Sequence, residues 1–366
     1  MKPNGPVAQV FPAWVAIICF TSAILSVTWI GQAQAQTPDA TPSLRERIQE
    51  KLKARHTELQ DKAESADLAD NTSPLTEPGT YSLTLQHGGR ERAYLVHIPK
   101  SYRSDTPMPV VFAFHGGGGH MQLQASDRYG LVDKSDSAGF IAIFPNGYSR
   151  FPGGKLATWN AGSCCAQARD EGIDDVGFVR AIWNTLPTRV AVDRQRVYAT
   201  GMSNGGMMSY RLACEMADVF RAIAPVAGTD NTLQCQPSRP ISVLHIHARD
   251  DDHVLFNGGA GAAAFRDPKK IADFVSVPQS IGRWTQRNQC SGAPQRVVSV
   301  PGATCDVYAP CAGGSQVELC VTDTGGHSWP GGSKSRAGKG EASQAIQAND
   351  VMWDFFQRVS APALLK

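Results

Sequence analysis

The chain has 366 residues, 42% of them hydrophobic and 19% charged, with 35 Gly, 23 Pro and a formal net charge of +2. That apolar fraction excludes a disordered chain, and the lack of any sequence period excludes a solenoid or a collagen. The lysines and arginines are scattered singly instead of gathered into a stripe, so no nucleic-acid partner is expected.

Residues 11–30, FPAWVAIICFTSAILSVTWI, form an uncharged apolar run, and the small-x-small sequence Ala33-Gln34-Ala35 follows it. A signal peptidase accepts only small side chains at its cleavage site, so residues 1–35 are expected to be a cleaved signal peptide. The mature protein should then be secreted or periplasmic, with no stable membrane insertion after cleavage. Residues 36–77 are polar and contain LRERIQEKLKARHTELQDKAE, a charged run of helix formers with a thin apolar stripe, and read as an extension or linker.

From residue 78 to 366 the texture is that of one globular domain. TYSLTLQ and RAYLVHIP read as strands joined around Gly88-Gly89, and PVVFAFH (109–115) and FIAIFP (140–145) as buried strands with room for a helix between them. DDVGFVRAIWNTLPTR reads as a helix capped by Asp174 or Asp175. RVYATGMS is a strand that runs into the helix NGGMMSYRLACEMA, and AIAPVAG and ISVLHIHA are further strands. A helix near 270–288, the strand QVELCVTDT and the amphipathic helix QANDVMWDFFQRV close the chain. Strands alternating with helices predict an α/β fold: a mostly parallel sheet with helices on both faces.

At the 197–210 strand-to-helix junction stands Gly201-Met202-Ser203-Asn204-Gly205. A G-x-S-x-G pattern is common by chance, but between a buried strand and a helix it is the setting of a strained, exposed nucleophilic serine. Such a serine needs a base, an orienting acid and donors for an oxyanion. His327, in the loop Thr324-Gly325-Gly326-His327-Ser328-Trp329-Pro330 directly after a strand, is the expected base, with His253 the weaker competitor. His245 and His247 alternate within an apolar strand and read as core residues; as a metal pair they lack an obvious third ligand. The acid is expected among Asp250, Asp251 and Asp252, just past ISVLHIHA, and spacing alone does not choose among the three. Asp230 comes one strand too early. His115-Gly116-Gly117-Gly118-Gly119 at a strand end offers unobstructed backbone N–H groups for an oxyanion, and the N–H of Asn204 would be the second donor. A phosphate loop would need a Lys-Ser/Thr ending where this chain has His120-Met121. Trp159 and Trp329 lie beside these segments and could wall the site for an acyl or aromatic group. No metal and no organic cofactor is implied.

Cys19 lies in the apolar run; the other eight cysteines (Cys164, Cys165, Cys214, Cys235, Cys290, Cys305, Cys311 and Cys320) suggest disulfides in an exported chain. Adjacent Cys164 and Cys165 are each expected to reach a distant partner.

FAFHGGGG, TWNAGSCC followed by IDDVGF, GMSNGGMMSYRLAC, LHIHARDDDHVLFNGG and GGHSWPGG together resemble the secreted polyhydroxybutyrate depolymerase and feruloyl esterase family, over about 80–357. The resemblance implies an α/β-hydrolase fold, makes 78–366 the catalytic domain, and implies Ser203 as nucleophile, Asp251 as acid, His327 as base, and Gly117 with Asn204 as the oxyanion hole. Ala248, Asp252 and Leu255 depart from the family's usual residues in the acid loop. It also implies a Cys290–Cys311 bridge, with Cys164 and Cys165 reaching Cys214 and Cys235. The implied activity is hydrolysis of carboxylic esters. The chain ends at Lys366 soon after its last core helix, and 36–75 is poor in aromatics, which favours soluble or short esters: feruloyl or acetyl esters of plant polysaccharide, or short polyhydroxybutyrate esters. The competing readings are a non-catalytic binding protein on a hydrolase scaffold and an acyltransferase to a sugar acceptor.

Overall fold

Ten strands join into a single sheet in the order β1-β2-β4-β3-β5-β6-β7-β10-β9-β8 in the computed structural model, which describes residues 73–264, 273–333 and 341–360. They are β1 (Gly79–His87), β2 (Arg90–Ile98), β3 (Met108–Phe114), β4 (Ile141–Pro145), β5 (Val192–Met202), β6 (Ala222–Val226), β7 (Ser242–Ala248), β8 (Gln295–Val300), β9 (Ala303–Tyr308) and β10 (Val317–Thr322). From β4 through β10 the pairings β4/β3, β3/β5, β5/β6, β6/β7 and β7/β10 are all parallel, and antiparallel strands flank them at both edges. The expected signal peptide, and the expected extension up to residue 72, lie outside the described residues. Leu75, near the end of that extension, is buried, and its N–H donates to the Arg189 carbonyl at 2.8 Å, so the domain takes up the chain before residue 78.

The helices are α1 (Met121–Gln124), α2 (Leu131–Ala138), α3 (Ala166–Asp170), α4 (Asp175–Thr185), α5 (Asn204–Glu215), α6 (Val277–Arg287) and α7 (Ala348–Ser360). Alternation along β3 explains the layers: Val110, Phe112 and Phe114 point into one core with residues of α4, α5 and α6, while Val111 and Ala113 point into a second core with those of α2 and α7. The sheet is therefore apolar on both faces and covered on both, as its uninterrupted hydrophobic strands require. Gly88 and Gly89 both have positive φ (58° and 71°), the geometry a two-residue hairpin between β1 and β2 demands. The helix expected near 270–288 begins at Val277 because Ser276 and Gln279 form a capping box and a proline opens the first turn. The β8–β9 hairpin was not anticipated. It extends the sheet beyond β10, and a disulfide between Cys305 and Cys320 ties β9 to β10.

The remaining bridges are Cys214–Cys235, Cys290–Cys311 and Cys164–Cys165. The last corrects the expectation of distant partners. Cys214 at the end of α5 has Cys235 with its Cα only 4.8 Å away, so these two satisfy each other and leave the adjacent cysteines to pair. Among the described residues no helix is long and apolar enough to cross a membrane.

Candidate active site

The parallel strands deliver their loops to one end of the sheet, and the site is built there. Ser203 follows β5 directly and opens α5 with φ +56° and ψ −120°, a backbone shape that few non-glycine residues adopt. Two glycines make that turn possible. A Cβ on Gly201 would sit 2.6 Å from the Gly205 carbonyl oxygen and 2.7 Å from that of Phe114, and one on Gly205 would collide with the Phe114 and His115 carbonyls. The Ser203 N–H donates to the Val226 carbonyl at 2.8 Å, while its side chain caps nothing and lines a cleft.

That cleft, about 90 Å³, is lined by Gly116 to Gly119, Leu123, Arg128, Tyr129, Met202, Ser203, His327, Ser328 and Trp329. Of the four glycines, Gly118 spends its N–H on the Ala157 carbonyl (2.8 Å) and Gly119 on the Gly116 carbonyl (2.9 Å). The Gly117 N–H has no acceptor among the described residues. Asn204 is fixed through its side chain, whose Oδ1 accepts from the Trp159 N–H at 2.7 Å and whose Nδ2 donates to the Trp159 carbonyl at 3.1 Å.

Trp159 itself is fully buried, and it is not a cleft wall. Its indole N–H donates to the His115 carbonyl at 2.9 Å and its ring meets Phe114 edge-on at 5.2 Å, so it braces the glycine loop from below. Trp329 does line the cleft, held edge-on to Tyr129 at 5.5 Å with its N–H donated to Asn349. One layer further out, Asp175 pairs with Arg92 at 2.6 Å inside the domain and accepts from the Asn160 N–H at 2.8 Å, which fixes the segment carrying Trp159.

His115 completes the loop's support. Its Nε2 accepts from the Gly147 N–H and its Nδ1–H donates to the Gly116 carbonyl, both at 2.9 Å. Burial is the main cause that pushes its pKa down from 6.5 to about 4. Above pH 6.5 the folded and unfolded chains both hold this ring neutral; between 6.5 and about 4 only the unfolded chain binds the proton. Stability should therefore fall as pH drops through this window, by up to about 3 kcal/mol from this group. Urea midpoints at pH 7 and pH 4.5 should diverge more for the wild type than for His115→Gln.

The three aspartates after β7 have separate partners. Asp250 accepts from the Gly326 N–H at 2.8 Å and so pins the loop that carries His327. Asp252 accepts from His253 Nδ1 at 2.7 Å. Asp251 is buried, and its Oδ2 accepts from His327 Nδ1 at 2.8 Å, while its Oδ1 accepts from the backbone N–H groups of His253 (2.8 Å) and Val254 (2.9 Å). Burial by itself would raise the Asp251 pKa, but the His327 and His247 rings outweigh it and hold the carboxyl far below the usual carboxylate range. Asp230 instead pairs with Arg287 at 2.6 Å. His253 lies parallel to His327, ring centres 4.6 Å apart and planes 15° from parallel, a contact sequence spacing does not announce. Asp251, His253 and His327 bring ligand-capable atoms within 4.8 Å of one another, and two of the three, Asp251 and His327, are already joined by a hydrogen bond.

A parallel sheet with a glycine-flanked serine after β5, a carboxylate after β7 and a histidine after β10 defines the α/β-hydrolase class. No protein-family model matches the chain. It is 30% identical over 277 residues to feruloyl esterase B of Piromyces equi, covering 74% of this chain and 46% of that protein. It is 26% identical over 289 residues to feruloyl esterase D of Neurospora crassa, covering 76% of this chain and 85% of the relative. The acetyl xylan esterase of Aspergillus awamori shares the fold at a TM-score of 0.51, with 13% identity over 76% of this chain and all but 1% of that one (99%). The chain is thus similar in sequence to feruloyl esterases and in fold to an acetyl xylan esterase. It spans just under half (46%) the length of the Piromyces enzyme.

Proposed function

We propose that the protein is a secreted serine esterase that hydrolyses carboxylic esters through Ser203, His327 and Asp251. The observation that carries this reading is the buried 2.8 Å Asp251–His327 hydrogen bond beside the cleft that Ser203 and His327 both line. Asp251 holds the imidazole as its Nδ1–H tautomer, which leaves Nε2 with a lone pair to take the Ser203 proton. The serine oxygen attacks the ester carbonyl, and the carbonyl oxygen becomes an oxyanion. The N–H groups of Gly117 and Asn204 receive it. His327 then protonates the leaving alcohol, and water, activated in turn by His327, frees the acid and restores Ser203. Secretion is supported by the four disulfides.

The substrates proposed are feruloyl or acetyl esters of plant polysaccharide, with short polyhydroxybutyrate esters as the second reading. The small volume at Ser203 suits an acetyl or hydroxybutyryl group. Beyond it lies a broader depression of about 480 Å³ that shares Gly118 and Leu123 with the cleft and adds Phe151, Pro152 and Leu156. Phe151 and Leu156 are among the few large apolar side chains exposed on the described surface, at 53% and 60%. That shelf favours an aromatic acyl group. Phe151→Ala should raise KM for methyl ferulate about 3- to 10-fold and leave p-nitrophenyl acetate nearly unchanged. Equal effects on both esters would remove the shelf from the substrate path.

The deciding test is a parallel assay of the purified mature protein on methyl ferulate, p-nitrophenyl acetate and butyrate, and a hydroxybutyrate oligomer, with Ser203→Ala beside it. Serine-dependent ferulate release supports the plant-wall reading, and oligomer cleavage without it supports the polyester one. No serine-dependent turnover of any ester overturns the proposal in favour of a binding scaffold. Ester products formed on an added sugar acceptor at the expense of free acid would mark an acyltransferase.

A further inference from the structure

Behind Asp251 lies a buried line of polar side chains that the hydrolytic steps do not use. Tyr210 on α5, His245 and His247 on β7, and Asp251 are all nearly or fully shielded from solvent. The Tyr210 hydroxyl lies 2.8 Å from His245 Nδ1, and His245 Nε2 lies 3.1 Å from His247 Nδ1. His247 Nε2 then faces the Val254 carbonyl at 2.8 Å and Asp251 Oδ2 at 3.3 Å.

The proton on every member of this line follows from its far end. A carbonyl oxygen and a carboxylate oxygen only accept, so His247 Nε2 carries the hydrogen. A neutral His247 then offers a lone pair at Nδ1, which requires His245 to be protonated at Nε2. His245 Nδ1 in turn accepts, and the Tyr210 hydroxyl donates to it. Each ring nitrogen then has a single role, and the His247 Nε2–H faces two acceptors. The reverse arrangement, with His247 as an imidazolium, would make Tyr210 an acceptor and leave its own buried hydroxyl proton with no acceptor among the described residues. Burial, with the neighbouring His247 ring second, holds the His245 pKa well below its usual value, and burial raises that of Tyr210; both agree with a line of neutral groups.

We propose that His247 is a positioning residue for the acid: through its Nε2–H, oriented by Tyr210 and His245, it fixes the Asp251 oxygen that also receives the His327 proton. Oδ2 therefore faces two N–H groups: it accepts the hydrogen bond of His327 at 2.8 Å, and it lies 3.3 Å from His247 Nε2, whose own hydrogen bond goes to the Val254 carbonyl at 2.8 Å. The hydrogen bond to Oδ2 thus comes from the group that becomes charged in turnover. The longer approach of His247, held by its bond to the carbonyl of Val254, whose N–H in turn donates to Asp251 Oδ1, stops the carboxylate from rotating off the His327 axis. This inference rests on Asp251 and His327 acting as the acid and base of the esterase.

The test compares His247→Phe, which keeps a ring but removes both nitrogens, with His247→Gln, which keeps an N–H donor, and with Tyr210→Phe. Kinetics on p-nitrophenyl acetate are normalised to reactive serines counted by burst titration, so misfolded protein does not enter kcat. His247→Phe should lower kcat about 10- to 100-fold with KM within about 2-fold, the pattern of an interaction felt mainly in the transition state. His247→Gln should recover most of that loss, and Tyr210→Phe should cost less than His247→Phe. Imidazole ¹⁵N spectra of the wild type should show His245 and His247 as neutral Nε2–H tautomers, a readout that needs no activity. Wild-type kcat per titrated site in His247→Phe, or an Nδ1–H tautomer at His247, would overturn the inference. If His247→Phe does not fold, the Gln variant and the spectra decide. Ser203→Ala in the same assay separates the two levels: if it retains activity the esterase mechanism itself fails, and if it is inert while His247→Phe is unimpaired only the positioning role fails.

Discussion

Ser203→Ala is expected to lower kcat on p-nitrophenyl acetate by about 10⁶-fold, the scale on which hydrolases with a serine, histidine and aspartate respond to loss of the serine. The fold should be unaffected. The Ser203 hydroxyl caps no helix, and the turn around it is made possible by Gly201 and Gly205, which the substitution does not touch. Alanine tolerates the +56° φ no better and no worse than serine, so the melting temperature should stay within a few degrees. Stopped-flow release of p-nitrophenol, with the burst amplitude as the count of acylated enzyme, is the measurement. A variant that retained a tenth of wild-type kcat would remove Ser203 from the reaction.

Asp251→Asn should cost about 10⁴-fold in kcat, whereas Asp250→Asn and Asp252→Asn should each cost less than about 10-fold. The difference follows from what each oxygen faces. Asp251 Oδ1 receives two backbone N–H groups, so an amide placed there must turn its oxygen toward them. Its NH₂ group would then confront His327 Nδ1 and His247 Nε2, both donors in the wild type. His327 can relieve the conflict only by moving its proton to Nε2, and a ring protonated there has no lone pair for the serine proton. Asp250 holds the histidine's loop through the Gly326 N–H, so its loss loosens the base without changing its tautomer. Asp252 accepts from His253 Nδ1. A pH–rate profile for the three variants separates the outcomes: a large loss at every pH for Asp251→Asn alone supports the assignment, and equal losses for all three would overturn it.

The sheet was legible because its central strands are buried on both faces and so read as unbroken apolar runs, PVVFAFH and FIAIFP above all. The β8–β9 hairpin was not, because β8 is mostly exposed: QRVVSV carries too little buried apolar surface to stand out from loop sequence. The positions of Ser203, the aspartate triplet and His327 at strand ends could be read from chain order. Which aspartate faces His327 could not, since adjacent residues differ only in side-chain direction, and that depends on a loop closed by the Asp251 contacts to the His253 and Val254 N–H groups. Trp159 misled for a related reason: proximity in sequence to the site does not reveal that its ring faces inward against Phe114. The pairing of Cys164 with Cys165 depended on Cys235 coming back to Cys214, a return through an irregular loop that carries no periodic signal.

The shelf residues Phe151, Pro152 and Leu156 hang from an excursion between β4 and α4, whereas Ser203, Asp251 and His327 stand on the loops of three core strands, β5, β7 and β10. On the proposed function, bond cleavage and acyl choice are thus encoded in separate stretches of chain. The tip of the excursion, residues 149–156, lies ahead of the Trp159 and Asn160 contacts that steady the glycine loop and α5. If the proposed function holds, a library randomised over those eight positions should retune which acid is accepted while the reaction itself is inherited unchanged.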